Sequence, residues 1–307
     1  MWTYIVRRLL IVIPVMLGVA FMVFSAMYLI PGDAVDAMLR DTGATAEAMA
    51  RLRAQMGLDQ PFHVQFLRFL SVLASGDLGR SLVTGRPVAD QIASQLPATI
   101  ELTLAALAIA IIVGVPLGVV AALRRGTWID TSSMIVALVG VSMPNFWLGL
   151  LFILFFSLQL GWFPASGTGG WRYLVLPAIT LGFSGVAIIA RITRSSLLEV
   201  IHADYVRTAR SKGLKPRTVV LKHAMRNAMA SVMTVVGLQF GALLGGSVVV
   251  ETVFGRQGLG SLTVGAIQRS DLPLVQSTVM LAALAFVLVN LLVDVSYSLL
   301  DPRIRYG

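Results

Sequence analysis

Of the residue types that carry covalent or metal chemistry, this 307-residue chain holds three histidines and no cysteine. Without a thiol there is no disulfide, no cysteine nucleophile, no iron–sulfur cluster and no Cys-based zinc site. His63, His202 and His223 are scattered along the sequence and are expected on two sides of a membrane, so together they build neither a metal site nor a Ser-His-Asp triad. There is no Gly-x-x-x-x-Gly-Lys-Ser/Thr loop, and the dipeptide Gly-Lys never occurs, so the chain has no phosphate cradle of its own. Two charged features remain: a lone Asp294 within an apolar stretch, and nine Lys and Arg residues crowded between Arg191 and Arg226.

The elements that must position these groups are apolar on every side. The composition is 57% hydrophobic and 13% charged, where a soluble domain carries charge on the outer face of each helix, roughly a quarter of its residues. Six runs hold no charge at all: Leu9 to Gly32, Leu102 to Leu123, Thr131 to Trp171, Tyr173 to Ala190, Asn227 to Val250 and Leu272 to Val293. Each reaches the roughly 17 to 25 residues that cross a hydrocarbon core as a helix. The expectation is an all-α polytopic membrane protein with six transmembrane helices, and a soluble enzyme is excluded. In the longest run, Gly161, Pro164, Gly167, Gly169 and Gly170 mark a loop, which leaves one span, Ser132 to Leu160, kinked at Pro144. A secretory signal also begins with basic residues and an apolar stretch. The first run is longer than such a signal and lacks a clear small-x-small cleavage site, so it is expected to stay as the first membrane helix.

Lys and Arg fix the orientation, because positive loops are retained in the cytoplasm. With both termini inside, the cytoplasmic segments hold fifteen of the 24 basic residues against four acidic ones, Asp130, Glu199, Asp204 and Asp301. Topology thus accounts for the net charge of +9, and no nucleic-acid partner is needed to explain it.

Two connecting segments are long enough to have structure. In the extracytoplasmic insert, 33–100, Thr45 caps a helix that Gly57 and Pro61 end, and Phe62, Phe66, Phe69, Leu70 and Leu73 recur at helical spacing. Turns at Gly76, Gly79, Gly85 and Pro87 precede a short helix from Val88, broken at Pro97. In the cytoplasmic segment, 191–226, a continuous helix wound at 100° per residue puts Leu198, Ile201, Tyr205, Thr208 and Ala209 on one face, with Glu199, Arg207 and Arg210 opposite. Gly213 ends this helix and Pro216 opens the next. Such a hairpin suits a groove in a soluble partner or, equally on periodicity, an anionic lipid surface.

Inside the spans, Gly237, Gly241 and Gly245 repeat every fourth residue, spacing that lets helices pack closely or slide at a gate. Asp294, with Asn290 and Tyr297 about a turn away on either side, reads as a structural hydrogen-bond anchor. The outer segment from Glu251 to Gln276 reads as turn-rich and contains Gly258-Leu-Gly260 and Asp271.

Asp204-Tyr-Val-Arg-Thr-Ala-Arg-Ser-Lys-Gly213, followed by Lys222-His-Ala-Met-Arg-Asn-Ala228, resembles the cytoplasmic signature loop of ABC-importer permeases in their dipeptide/oligopeptide branch. The likeness spans the chain: Arg7-Arg8, Pro31-Gly32-Asp33, Gly57-Leu58-Asp59-Gln60-Pro61, Gly76-Asp77-Leu78-Gly79, Arg86-Pro87-Val88, Thr193-Arg194-Ser195-Ser196, Gly237-Leu238-Gln239 and Asp301-Pro302-Arg303-Ile304-Arg305 follow in order. Ala34, Ser231 and Gln257 depart from the pattern.

The resemblance implies a single transmembrane domain, 1–307, of the type I importer kind, in a bacterial cytoplasmic (inner) membrane. It would pair with a second homologous permease, two cytoplasmic ATPase subunits that hold ATP and Mg, and an extracytoplasmic solute-binding protein. The chain itself would bind no cofactor and catalyse nothing. The hairpin 191–226 would couple to an ATPase through Leu198, Ile201, Asp204, Tyr205, Arg207, Ala209 and Gly213. Gly237, Gln239, Gly241 and Gly245 would serve helix packing or the gate. Glu251, Gly258, Gly260 and Asp271 would face the binding protein or the outer gate, and short peptides would be the cargo, with glutathione, a nickel chelate or a peptide conjugate as the alternatives on the same scaffold. A secondary carrier usually shows ionisable pairs at mid-membrane, for which only Asp294 offers itself. An intramembrane hydrolase needs a base beside its nucleophile, and no span contains a histidine.

Overall fold

A computed structural model describes residues 2–29, 35–36 and 45–300, with side chains placed from residue 10 to 291 inside that range. The described residues are helical apart from connecting turns and one isolated bridge, Arg80 to Pro87. Long apolar helices are the form in which a chain satisfies its own backbone in hydrocarbon. Five helices are long and apolar enough to cross a membrane, and a sixth if one bent pair counts as a span. The chain divides into two compact units, 1–98 with 257–291 and 99–256 with 292–307.

The first unit contains α1 (Trp2–Leu29), α2 (Ala46–Met56), α3 (Phe62–Ala74), the start of α4 (Val88–Leu123), α10 (Leu259–Gln268) and α11 (Leu272–Leu300) as far as Leu291. Thr45 caps α2 through a bond from the Ala48 amide, and Gly57 ends it in the left-handed region at φ 69°. The regularly spaced phenylalanines of α3 meet the end of α1, with Phe62 5.3 Å from Phe24 and 5.1 Å from Tyr28 between ring centroids. Edge-to-face pairs of this kind add about 0.5 to 1.5 kcal/mol each beyond area burial. Val88, Ile92, Leu259, Ala266, Leu274 and Val275 form the apolar core beneath. The segment read as a turn-rich outer loop contains α10, a ten-residue helix capped by Ser261 and Gly258.

The second unit contains the rest of α4, α5 (Trp128–Ser142), α6 (Asn145–Gln159), α7 (Arg172–Val200), α8 (Asp204–Ser211) and α9 (Pro216–Val253). π-helical turns lie in α6 at Ile153–Gln159 and in α9 at Val219–Ala224. The unit is built around α7. Where α4 crosses it, a Cβ on Gly182 would stand 2.6 Å from the Ala106 carbonyl oxygen, and one on Gly118 would strike that of Ala190. On another side α7 takes α5, with Phe183 and Ala187 against Gly140.

Three local expectations are corrected. A break at Pro97 does not occur, since α4 runs unbroken through it to Leu123. Proline removes one backbone bond, whereas ending the helix there would leave the several unpaired groups of two new helix ends. The kink expected at Pro144 is present but is far sharper than a bend within one helix. α5 and α6 meet at 105° across Met143 and Pro144, so the segment is a broken span or a re-entrant pair. The partner of α6 explains the sharp turn, because Gly149 lies against Phe254, Val253 and Thr180. Finally, the continuous helix across 198–212 is two helices, with Ala203 extended (ψ 151°) between them. Asp294, Tyr297 and the motif from Asp301 lie outside the residues whose side chains are described.

Candidate functional site

The break at 201–203 resets the helical phase, and this changes which face of α8 is free. Val206 and Ala209 turn inward onto Leu197, Val219, Val220, Ala224 and Met225. Leu198 is half-buried against the same cluster, and Ile201 is buried. The apolar stripe expected to face a partner is therefore used within the chain, and Tyr205, expected on that stripe, stands outside it. The free face carries His202, Asp204, Tyr205, Arg207, Thr208 and Arg210. A short helix cannot hold itself together in water, so the inward valine and alanine are what fix this polar face in place. Burial of one valine contributes roughly 1.5 to 3 kcal/mol. Gly213 follows at φ +75°, where nothing lies within 4 Å of the position a Cβ would take, and its amide bonds the Arg210 carbonyl at 3.0 Å. Pro216 then opens α9 at its first position.

Behind α8 lies an ion pair that sequence reasoning passed over. Arg194, in the last turns of α7, grips Asp130, in the first turn of α5, with two parallel bonds: Nε to Oδ1 at 2.6 Å and Nη2 to Oδ2 at 2.8 Å. The Gly126 amide also donates to Asp130 Oδ2, at 3.1 Å. The aspartate side chain is 8% exposed and the arginine 25%. Both residues were in view in the sequence, Asp130 as one of the few cytoplasmic acids and Arg194 inside a motif, but nothing in the linear order joins positions 64 apart.

At the other end of α9 the charges are drawn inside. Glu251 is fully buried and accepts from Thr99 Oγ1 at 2.6 Å. Arg256 is buried and donates through Nη2 to Glu101 at 2.5 Å, while its Nε has no hydrogen-bond partner among the described residues. Thr99 and Arg256 were not singled out from sequence. In the first unit Asp271 is buried and accepts from the Ser81 hydroxyl and, at 3.0 Å, from the Leu82 amide. Gly258 and Gly260 are buried as well. These four residues thus lie inside the packing and offer no surface to a docking protein in this conformation. Their geometry suits anchors that seal helix ends.

Of the proposed gate residues, Gly237, Gln239 and Gly241 are buried in the second unit, with the Gln239 amide nitrogen 3.4 Å from where a Cβ on Gly185 would stand. Gly245 faces open space. No cluster of three potential metal ligands occurs among the described residues. A cavity of about 670 Å³ in the first unit, between α1, α2, α3 and α11, is mostly apolar, with Arg68 and Asp77 among its lining residues.

Residues 114–306 match the family described as binding-protein-dependent transport system inner membrane component, and residues 1–103 match the N-terminal region of the same kind of component. The chain is 45% identical over 306 residues to the glutathione transport system permease protein GsiC of Salmonella paratyphi A, covering all of both chains. The same identity and coverage hold for the protein of that name from Escherichia coli strain K12. Among solved structures the inward-facing MetNI methionine ABC transporter superposes with TM-score 0.59 at 19% identity, over 69% of this chain and 96% of that one. That is a likeness of fold alone. Family match, full-length relatives and the all-helical spanning fold agree, and the chain belongs to the binding-protein-dependent inner membrane components, the permeases of ABC importers.

Proposed function

We propose that this chain is the pore-forming subunit of an ATP-driven importer whose cargo is glutathione or a short peptide of similar size and charge. Full-length identity of 45% to glutathione transport permeases carries the cargo reading. It is narrower than the general di/oligopeptide class, which shares the scaffold with nickel-chelate and peptide-conjugate importers. The chain works with a second homologous permease, two cytoplasmic ATPase subunits holding ATP and Mg, and an extracytoplasmic solute-binding protein. Both of its termini lie in the cytoplasm. The exposed face of α8 with Gly213 meets an ATPase subunit, and closure of the ATPase pair moves α8 and alternates the access of the pore. Gly237, Gln239 and Gly241 pack the helix that lines the gate. Hydrolysis resides in the partner subunits.

The test is reconstitution of the complete complex in proteoliposomes, with its own binding protein and labelled solutes. ATP-dependent uptake of glutathione ahead of dipeptides and nickel chelates is expected. Preference for an uncharged dipeptide or a nickel chelate overturns the cargo. Uptake that persists without the ATPase subunits makes the chain a secondary carrier and overturns the mechanism.

A further inference from the structure

The Asp130–Arg194 pair occupies a mechanically specific place. α8 hangs from the end of α7 by the short link 201–203, and Arg194 lies within two turns of that link. On one side α7 is held to α4 by steric contact, since any side chain at Gly118 would collide with Ala190 and Thr193. On another side its hold on α5 near the link is polar, through the bidentate bonds to Asp130. The carboxylate is fully committed, with both oxygens on Arg194 and one also on the Gly126 amide. Gly126 itself sits at φ +76° in the turn that joins α4 to α5. One aspartate therefore ties three pieces of chain together: the α4–α5 turn, the start of α5, and the segment of α7 from which α8 departs. α5 in turn leads into the 105° break to α6.

We propose that Asp130 and Arg194 are positioning residues for transport: their paired bonds make the start of α5 follow α7 when α8 is displaced, and so deliver that displacement to the broken span. This rests on the reading of α8 as the contact with the ATPase. A planar guanidinium fork on a carboxylate fixes orientation as well as distance, which a single point contact does not. Partial burial shields the pair from the screening that makes exposed pairs weak. With the pair cut, α7 and α8 still move with the ATPase, but the start of α5 is no longer tied to the base of α7 and follows it less closely, held by the packing of Gly140 against Phe183 and Ala187 further along. ATP is then hydrolysed without a matching pore movement.

The experiment measures ATP hydrolysed per solute taken up by the complete reconstituted complex, alongside the amount of complex assembled. Arg194→Gln and Asp130→Asn are expected to raise that ratio about tenfold, within the range of ordinary coupling energies, at unchanged assembly. Arg194→Lys keeps the charge but loses the fork, and an intermediate ratio is expected. The exchanged pair Asp130→Arg with Arg194→Asp restores attraction without the Gly126 bond, so partial recovery is expected. A wild-type ratio in the assembled single variants, or lower assembly with an unchanged ratio in what assembles, overturns the proposal and leaves the pair a structural brace. Absence of ATP-dependent uptake by the unsubstituted complex overturns instead the functional reading on which the proposal rests.

Discussion

The two ends of α9 treat charge in opposite ways. Near Pro216, Asp204, Arg207 and Arg210 of α8 stand outside while Val206 and Ala209 are sealed inside. Near Val253, Glu251 and Arg256 are buried, Glu251 on the buried Thr99 and Arg256 on Glu101, whose side chain is 56% exposed. A charge in contact with water needs no partner, whereas a buried charge persists only when paired and hydrogen-bonded. The first arrangement leaves a polar face available at little cost in stability. The second spends its polar groups on one another and fixes a geometry. The difference teaches that charge alone does not mark a docking site in such a chain, and that its burial decides between contact and closure.

The largest expected effect breaks the first arrangement. Val206→Asp places an unpaired carboxylate in an apolar pocket, a cost of several kcal/mol, so α8 should detach. Uptake should be lost, and trypsin should cut around Arg210 and Lys212 in membrane vesicles. The same change one residue earlier, Tyr205→Asp, should leave α8 protected and weaken only the binding of ATPase subunits. Equal protease sensitivity in both variants would mean that the phase of α8 is not as described. Next in size is the opposite end. Glu251→Ala removes the acceptor of the buried Thr99 hydroxyl and leaves a void, costing about 2 to 4 kcal/mol, read as a clear fall in Tm of the purified protein. Thr99→Val should also lower Tm, because it keeps the shape filled but takes a hydrogen-bond donor from the buried Glu251 carboxyl.

Gly213→Val comes third. Space is available for the side chain, so the cost lies in the backbone, about 1 to 3 kcal/mol for a β-branched residue held at φ +75°. Membrane insertion should be normal, while ATP hydrolysis loses its link to uptake. Gly213→Asn should be nearly silent, because asparagine tolerates the left-handed region. Wild-type transport by the valine variant would remove Gly213 from the coupling element.

Much of the fold was legible in the sequence because hydrocarbon imposes a simple rule. A run without charge is a span, and the uncharged runs correspond to α1, α4, the α5–α6 pair, α7, α9 and α11. Capping was legible too, as Thr45, Gly57, Gly213 and Pro216 act through adjacent residues. What was hidden depends on distant partners. Pro144 announces a bend, but its 105° follows from where Gly149 finds Phe254. Pro97 looks like a break, yet the helix from Val88 to Leu123 runs through it. The face of α8 was misassigned because a periodicity count carries its phase across a link as short as 201–203, and the chain does not. Asp130 could be counted for topology, yet its bond to Arg194 is a fact of folding.

The smallest expected effect on stability tests the contrast most sharply. Arg207 and Asp204 lie 3.7 Å apart on α8 with side chains 75% and 96% exposed, and exposed pairs of this kind contribute close to nothing, since screening and side-chain entropy offset the attraction. Arg207→Gln should therefore leave Tm within error of wild type, at low salt and at high salt alike. The same substitution removes a charge from the one face of α8 that the fold does not use, so its effect should appear as a weaker, more salt-sensitive association with the ATPase subunits. A fall in Tm comparable to that of Glu251→Ala would show that the α8 charges brace the fold as the buried ones do, and the distinction between the two ends would collapse. Unchanged stability together with unchanged ATPase association would place the contact elsewhere on the free face, at Tyr205 or Arg210.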